Sequence, residues 1–549
     1  MIIIRAQVAS LLTLLATAAT PSDAQIDGAF AGISGSTPGC AIAVSRNGQT
    51  AIQRAFGRAD LNFDVPLTPE SIFYIASDSK QFTAFGIALL LDQGKLSLDD
   101  PVVKWVPELP AAVYGAVTIR ELVHHTSGVR DYWGLFDIEG RSDSEPFSQR
   151  DFLALMDRQT GLNFKPGERF EYSNSGYALL AIVVSRASHS TLEEFATDRI
   201  FRPLGMMHTS FAADHRAVLP DLATGYAFRD GRYERVAATV EPLGDGGLRT
   251  TVGDLMLWLQ NLGHNRLGSN PDRVAKTIFA PGTLEDGGRV PYAFGLAIGA
   301  RDGFTMYDHT GSYAGYRSFV AWLPQPKLAI ATLCNAETPS FTPWGSGLAL
   351  LDRVLGVSPS PAPSPEPSTS PTPQQLQSLT GTFIEDDGTV WRLAVEHGRL
   401  VASVQGLAFV LRPLSPSHFC AVGAPQRVEL FAGNGGVTLQ IGNAPPGALK
   451  RFTPPAPTVA QLEEYAGRYY SRDLDLTLNV TQQDGTLYLG REGAAHEVLQ
   501  PVARDDFRRG GQDVRFERNA RGRVRAFRIS ASGADGIIFR LDVRISPSS

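Results

Sequence analysis

Ser71-Ile-Phe-Tyr-Ile-Ala-Ser77-Asp-Ser-Lys80-Gln-Phe-Thr-Ala-Phe-Gly-Ile-Ala-Leu-Leu-Leu-Asp92 is the stretch around which the chain is organised. A short apolar run leads into a serine, a lysine follows three residues later, and a long apolar helix pattern closes at Gly94. Residues i and i+3 of a helix share a face, with Cβ atoms roughly 5–6 Å apart. A helix starting near Ser77 therefore brings the Lys80 ammonium within reach of the Ser77 hydroxyl. The serine also stands at the positive end of the helix dipole, where developing negative charge is stabilised. Gln81–Leu91 is apolar almost all round, which predicts a helix buried inside a domain. A Ser/Lys pair at the mouth of such a helix is a candidate nucleophile with its base. Taken alone, it reads more simply as a capping serine beside a solvated lysine.

The 549 residues are too many for one core and predict two to four domains. Apolar content of 43% and charged content of 19% fit a globular protein. Net charge is −6, with no basic run and no aromatic-basic interleaving, which argues against nucleic acid as a partner. The N-terminus reads as a secretory signal: Arg5, a short apolar core over Val8–Ala19, then Ser22-Asp-Ala24 before Gln25. Residues 1–24 are thus expected to be removed on export to a periplasm or the medium. That apolar core is too short to span a bilayer, and no later segment approaches spanning length. The three cysteines, Cys40, Cys334 and Cys420, form neither a disulfide framework nor a zinc-site spacing. Cys40 and Cys334 lie in apolar strand-like runs, so buried free thiols are expected, with a single bridge between them as the alternative.

Gly39–Ser45, Arg46-Asn-Gly48 and Gln49–Ala55 read as a β-hairpin with an Asn-Gly turn. Helices announce themselves at Thr118-x-x-Glu121, Ser148-x-x-Asp151, Thr191-x-x-Glu194 and Thr251-x-x-Asp254. Strands return at Phe304–Asp308, Ser318–Leu323 and Leu328–Cys334, followed by a helix at Trp344–Leu355. Strands at both ends with helices between predict one α/β domain, residues 25–357, whose antiparallel sheet is completed by both termini. Ser358–Pro373 holds seven prolines and predicts a polyproline spacer, with 358–375 as the linker. The tail beyond it repeats itself. Leu376-x-x-Leu-x-Gly381-x-Phe383 matches Leu462-x-x-Tyr-x-Gly467-x-Tyr469, Gly398-Arg-Leu400 matches Gly485-Thr-Leu487, and Pro413 and Phe419 match Pro501 and Phe507. Offsets of 86–88 residues predict two tandem all-β antiparallel barrels, residues 376–456 and 457–549.

Two more stretches supply partners for Ser77. Lys165-Pro-Gly-Glu-Arg-Phe-Glu-Tyr172-Ser-Asn174 runs from a loop into an apolar helix and sets a phenol two residues from a carboxamide. Tyr307-Asp308-His309-Thr-Gly311-Ser312 follows the strand that begins near Phe304, and its glycine is read as letting a substrate approach the backbone. Ser77-x-x-Lys80, Tyr172-x-Asn174 and His309-Thr310-Gly311, in that order and spacing, strongly resemble the serine β-lactamase and penicillin-binding-protein superfamily. The branch holding class C β-lactamases, D-aminopeptidases, D-alanyl-D-alanine carboxypeptidases and related esterases is the most similar. Leu122-Val-His-His-Thr-Ser-Gly128, Phe201-Arg-Pro-Leu-Gly-Met206 and Gly244-Asp-Gly-Gly247 support it, and the match covers about residues 29–356.

The resemblance implies a sheet flanked by helices with a helical subdomain, then lipocalin-like barrels. It also implies Ser77 as the nucleophile of an acyl-enzyme, with Lys80 and Tyr172 sharing proton transfer. Asn174 would hold the Lys80 ammonium or the substrate amide, and Thr310 would line the substrate. The N–H groups of Ser77 and Ser312 would form an oxyanion hole. Neither metal nor cofactor is implied. His124-His125 suggests a metal pair, but adjacent histidines point in different directions, and His125 falls in a structural loop motif. His309 departs from the usual lysine of the third motif: a mostly neutral imidazole weakens recognition of a free carboxylate. That departure and the two barrels resemble D-aminopeptidases, so a peptide or amide substrate is expected. Carboxylesterase action is the first alternative, with a D-alanyl-D-alanine carboxypeptidase or β-lactamase ranking lower. A non-catalytic binding protein using its barrels is the non-enzyme reading, against which the intact motif set argues. Arg504-Asp-Asp-Phe-Arg-Arg-Gly-Gly511 offers Asp505 or Asp506 to a substrate ammonium if the loop reaches the cleft; a solvated charged loop is the simpler reading. The oligomeric state is left open.

Overall fold

The Asn-Gly turn forms as expected. Asn47 and Gly48 both take positive φ (54° and 76°), which joins strand β1 (Cys40–Arg46) to β2 (Gln49–Phe56) with the twist a tight hairpin needs. The computed structural model describes residues 22–543 apart from 142–144, 213, 230, 242, 338–341, 357–370, 386–388, 397, 405–406, 423–427, 434–435, 442–445 and 494–495. Most of the expected leader and most of the Pro-rich spacer lie outside these residues. The chain forms two compact units: Met1–Val129, Asp143–Leu153 and Phe164–Ser360 in the first, Arg130–Ser142, Ala154–Asn163 and Pro361–Ser549 in the second. The two units part at Ser360/Pro361, and two short earlier stretches belong with the barrels.

In the first unit β1 and β2 join β3 (Ala297–Arg301), β4 (Phe304–Tyr313), β5 (Tyr316–Leu323) and β6 (Leu328–Cys334) in an antiparallel sheet of order β3-β4-β5-β6-β1-β2. Both ends of the domain complete it, as expected. Side chains alternate across each strand. Phe319, Ala321 and Leu323 of β5 pack with Ile42, Val44 and Ile330 in a core closed by helices α1 (Asp23–Ala29) and α5 (Pro343–Leu355). On the other face Trp322 meets Gly263, at the end of α4 (Val252–Gly263). The central helix α2 (Lys80–Asp92) is buried at every position but Leu91 and packs on α3 (Asn174–Ser188), with the Phe82 ring centroid 4.4 Å from that of Trp258 of α4. It does not start at Ser77: a 3-10 turn, Ala76–Ser79, precedes it.

Three other sequence readings need correction. Cys40 and Cys334 are bridged rather than free, because they stand directly opposite each other on β1 and β6. The third motif lies inside β4 rather than after it, since pairing with β5 continues through His309↔Val320 and Gly311↔Ser318. Thr251 caps α4, but Asp254 turns its carboxylate to the His208 N–H and the Thr209 hydroxyl instead of closing a capping box.

The second unit contains two closed eight-stranded antiparallel barrels, Gly381–Arg451 and Gly467–Val543. Their first and last strands pair (Phe383↔Arg451, Tyr469↔Leu541), so no sheet edge is left open. A short helix with a Thr-x-x-Gln capping box precedes each, at Thr372/Gln375 and Thr458/Gln461. The helix Tyr132–Glu139 packs against the second barrel so closely that a Cβ on Gly134 would meet the Ser532 carbonyl at 2.3 Å. Arg130 pairs there with Asp473 at 2.9 Å, both buried, while Gln159 bonds both Arg130 and the Asp473 carbonyl. Asn163 bonds the Gly533 carbonyl and the Asp535 N–H. Among the described residues no helix is long and apolar enough to cross a membrane.

Candidate active site

Ala76, immediately before Ser77, takes φ 47°, a left-handed conformation that costs a non-glycine residue on the order of 1 kcal/mol. This sharp entry into the 3-10 turn leaves Ser77 partly exposed while Asp78, Ser79 and Lys80 are buried behind it. The i, i+3 spacing delivers what the sequence predicts: Lys80 Nζ lies 3.1 Å from Ser77 Oγ. Two further acceptors converge on the same ammonium, Asn174 Oδ1 at 2.8 Å and the Asp245 carbonyl at 2.8 Å. The capping of α3 falls to its neighbour Ser173, which accepts from the Gly176 N–H, so Asn174 Oδ1 can turn to the lysine. The Asp245 carbonyl is a ligand that side-chain reasoning missed. Gly244-Asp-Gly-Gly247 supplies it as a backbone turn, pinned to α2 by Thr83 Oγ1 on the Gly244 carbonyl and to Tyr74 by the Gly247 N–H.

Tyr172 lies over the same lysine, its ring centroid 4.8 Å from Nζ. His125 holds it there. Its Nδ1 accepts the Ser173 N–H at 3.0 Å, its carbonyl accepts the Glu171 N–H, and its ring packs at a tilt 4.3 Å from Tyr172. His124 turns away and places Nδ1 on the Tyr292 carbonyl, so the two histidines serve different partners. Among the described residues one trio, Asp214, His215 and Glu241, brings possible metal-ligand atoms within 4.8 Å of one another. Its groups are already matched: Arg216 grips Asp214, and His215 bonds Glu241.

His309 comes within 6.2 Å of Tyr172, ring to ring, and is buried. Its Nδ1 sits 2.8 Å from the Thr310 carbonyl and its Nε2 2.9 Å from the Tyr292 hydroxyl. Burial, then the nearby Lys80 charge, push its pKa down to about 3, so the imidazole is neutral at physiological pH. Gly311 has a different purpose from the one read in the sequence. A Cβ there would meet the Ile75 carbonyl at 2.1 Å, so the glycine lets β4 lie against the chain entering Ser77. Thr310 and Ser312 are exposed on that strand. Asp505 and Asp506 are spent within the second barrel: Asp505 pairs with Arg518 at 2.8 Å and accepts from Tyr465, and Asp506 pairs with Arg515 at 3.0 Å.

Asp308, beside His309 in β4, is pushed up to about 7 by burial alone. The folded chain keeps this proton where the unfolded chain, titrating near 4, has lost it. Stability is therefore expected to fall as pH rises from about 4 to about 7, then level off. In Asp308→Asn that loss, on the order of a few kcal/mol, should vanish. Denaturant titrations of both proteins across this range check it; parallel curves would refute it.

The model of the family described as Beta-lactamase matches residues 14–346. The chain is 27% identical over 468 residues to a D-aminopeptidase of Brucella anthropi, covering 83% of each protein. It is 27% identical over 414 residues to penicillin-binding protein 4* of Bacillus subtilis (strain 168), covering 71% of this chain and 90% of that one. Among solved structures, the octameric penicillin-binding protein homologue from Pyrococcus abyssi superposes with a TM-score of 0.56 at 24% identity, over 75% of this chain and 96% of that one.

Proposed function

The chain belongs to the β-lactamase family of serine hydrolases, and we propose that within it the protein is an exported D-aminopeptidase-like peptidase or amidase. The observation that carries the choice is the third motif. A buried, neutral His309 with both ring nitrogens engaged offers no cation to a carboxylate, which disfavours carboxypeptidase and β-lactam substrates. The similarity to D-aminopeptidases extends over 83% of this chain, beyond the 14–346 matched by the family model, and supports the same reading. The Arg5 to Ala24 leader pattern supports export, as does a disulfide of the kind that oxidising compartments maintain.

The geometry suits acyl transfer. Once the Lys80/Tyr172 pair has given up one proton, as lysine amine or tyrosinate, Ser77 Oγ attacks the substrate carbonyl and passes its own proton to that vacancy. The N–H groups of Ser77 and Ser312 receive the oxyanion, a contribution of about 3–4 kcal/mol per donor. The same pair returns the proton to the leaving amine, and water then hydrolyses the ester on Ser77 by the reverse route. As an ammonium, Lys80 donates to Asn174, Asp245 and Ser77 at once, so its three N–H bonds are all used in the resting site.

One panel tests this: D-alanyl and L-alanyl anilides, a short nitrophenyl ester, a D-Ala-D-Ala peptide and nitrocefin. Preferred turnover of the D-alanyl anilide is expected. Turnover of the ester alone would make the protein a carboxylesterase, and rapid nitrocefin turnover a β-lactamase. Intact-mass analysis of fluorophosphonate-treated protein should show one adduct on a chain beginning at Gln25. An unlabelled chain would refute the serine chemistry, and one still carrying residues 1–24 would refute export.

A further inference from the structure

Tyr292 stands in no motif, yet its hydroxyl lies 2.9 Å from the far nitrogen of His309. Carbonyl oxygens only accept, so the 2.8 Å contact with the Thr310 carbonyl places the ring proton on Nδ1. In the neutral ring Nε2 is then a lone pair, and the Tyr292 hydroxyl must donate to it. We infer that Tyr292 is a specificity-determining positioning residue, which by filling His309 Nε2 keeps the third-motif imidazole uncharged and makes the cleft discriminate against substrates whose leaving portion ends in a free carboxylate. This inference rests on the acyl-transfer reading above.

Tyr292 is itself firmly placed. Its carbonyl accepts from the Gly282 N–H and from His124 Nδ1, and its ring packs 4.7 Å from His125 and 6.1 Å from Phe170. Its hydroxyl is buried, which pushes its own pKa well up and keeps the proton it donates. Among the described residues, the charged and titratable groups around the His309 ring are Lys80, His125, Tyr172 and Tyr292, with Tyr177 and Asp78 acting on Tyr292. Burial pushes the Asp78 carboxyl well up, which favours its neutral form, and the Lys80 charge opposes an imidazolium. The hydroxyl thus settles what Nε2 does: capped, it neither binds a proton nor reaches a ligand.

The test compares D-Ala-D-Ala with D-Ala-D-Ala amide, which differ only in the terminal charge, in wild type and Tyr292→Phe. Wild type is expected to favour the amide at least tenfold in kcat/KM, with a ratio constant from pH 5.5 to 8. In Tyr292→Phe Nε2 is uncapped, so the ratio should fall severalfold, and fall further at pH 5.5 than at pH 8. Nitrogen-15 spectra of histidine-labelled protein, assigned with His309→Gln, should show wild-type His309 protonated at Nδ1 across this range and titrating in the variant. A wild type that hydrolyses both peptides equally overturns the inference, as does a His309 protonated at Nε2. So does a variant that slows both substrates alike with His309 unchanged. If wild type turns over neither peptide, the peptidase or amidase reading fails, while the nitrogen spectra still decide the tautomer and the capping. A variant that does not fold leaves both wild-type arms decisive.

Discussion

Ser77→Ala should lower kcat on any substrate the protein hydrolyses by about 10⁴–10⁶-fold, the scale seen when a nucleophile that acts as part of a unit is removed. The variant should fold normally. Lys80 retains Asn174 and the Asp245 carbonyl as acceptors, and the 3-10 turn does not depend on the hydroxyl. Lys80→Met should cost activity on the same scale for a different reason. It removes the ammonium on which Ser77 Oγ, Asn174 Oδ1 and the Asp245 carbonyl converge, and the buried acceptors among them lose their shared donor. Because the two residues handle one proton, the double variant should be no slower than the worse single one. Steady-state turnover with circular dichroism on each variant checks this. Single variants retaining activity within tenfold of wild type, or full additivity in the double variant, would remove Ser77 and Lys80 from the chemistry.

Much of this site is legible in the sequence because its parts are local. Ser77 and Lys80 meet through helical spacing, Tyr172 and Asn174 through a loop running into α3, and the barrels through an 86–88 residue repeat. What sequence reasoning misses is non-local or backbone-made. The Asp245 carbonyl carries no side-chain signature. Tyr292 reaches His309 only because the fold brings together positions 17 residues apart. Gly311 looks like room for a substrate and proves to be room for the Ile75 carbonyl. The Cys40–Cys334 bridge likewise depends on register between strands 294 residues apart, which composition does not reveal. Asp505 and Asp506 show the converse: acids in a turn look available until Arg518, Tyr465 and Arg515 claim them.

Asp473→Ala should destabilise the second unit by about 3–5 kcal/mol, because it leaves the Arg130 guanidinium buried without its counter-charge. Among the described residues only Gln159 would remain as a side-chain acceptor, and an amide oxygen does not neutralise a cation. Arg130→Ala should cost a similar amount by stranding the Asp473 carboxylate, which is 1% exposed. Replacing both partners at once, Arg130→Met with Asp473→Leu, should recover most of the loss, since the penalty lies in the unpaired charge rather than in the absence of the pair. Arg130 opens a stretch gripped by the second barrel through Asp131, Ile138 and Asp137 as well, so melting of that barrel should release 130–142 along with it. Denaturant unfolding with hydrogen exchange on peptides from 130–142 and 467–543 measures both effects. Single variants costing under about 1 kcal/mol, or exchange in 130–142 that ignores the state of the barrel, would show that the pair is incidental. Recovery in the double variant with loss in both singles would place the penalty in the stranded charge, and exchange in 130–142 that follows the barrel would show that the two fold as one body.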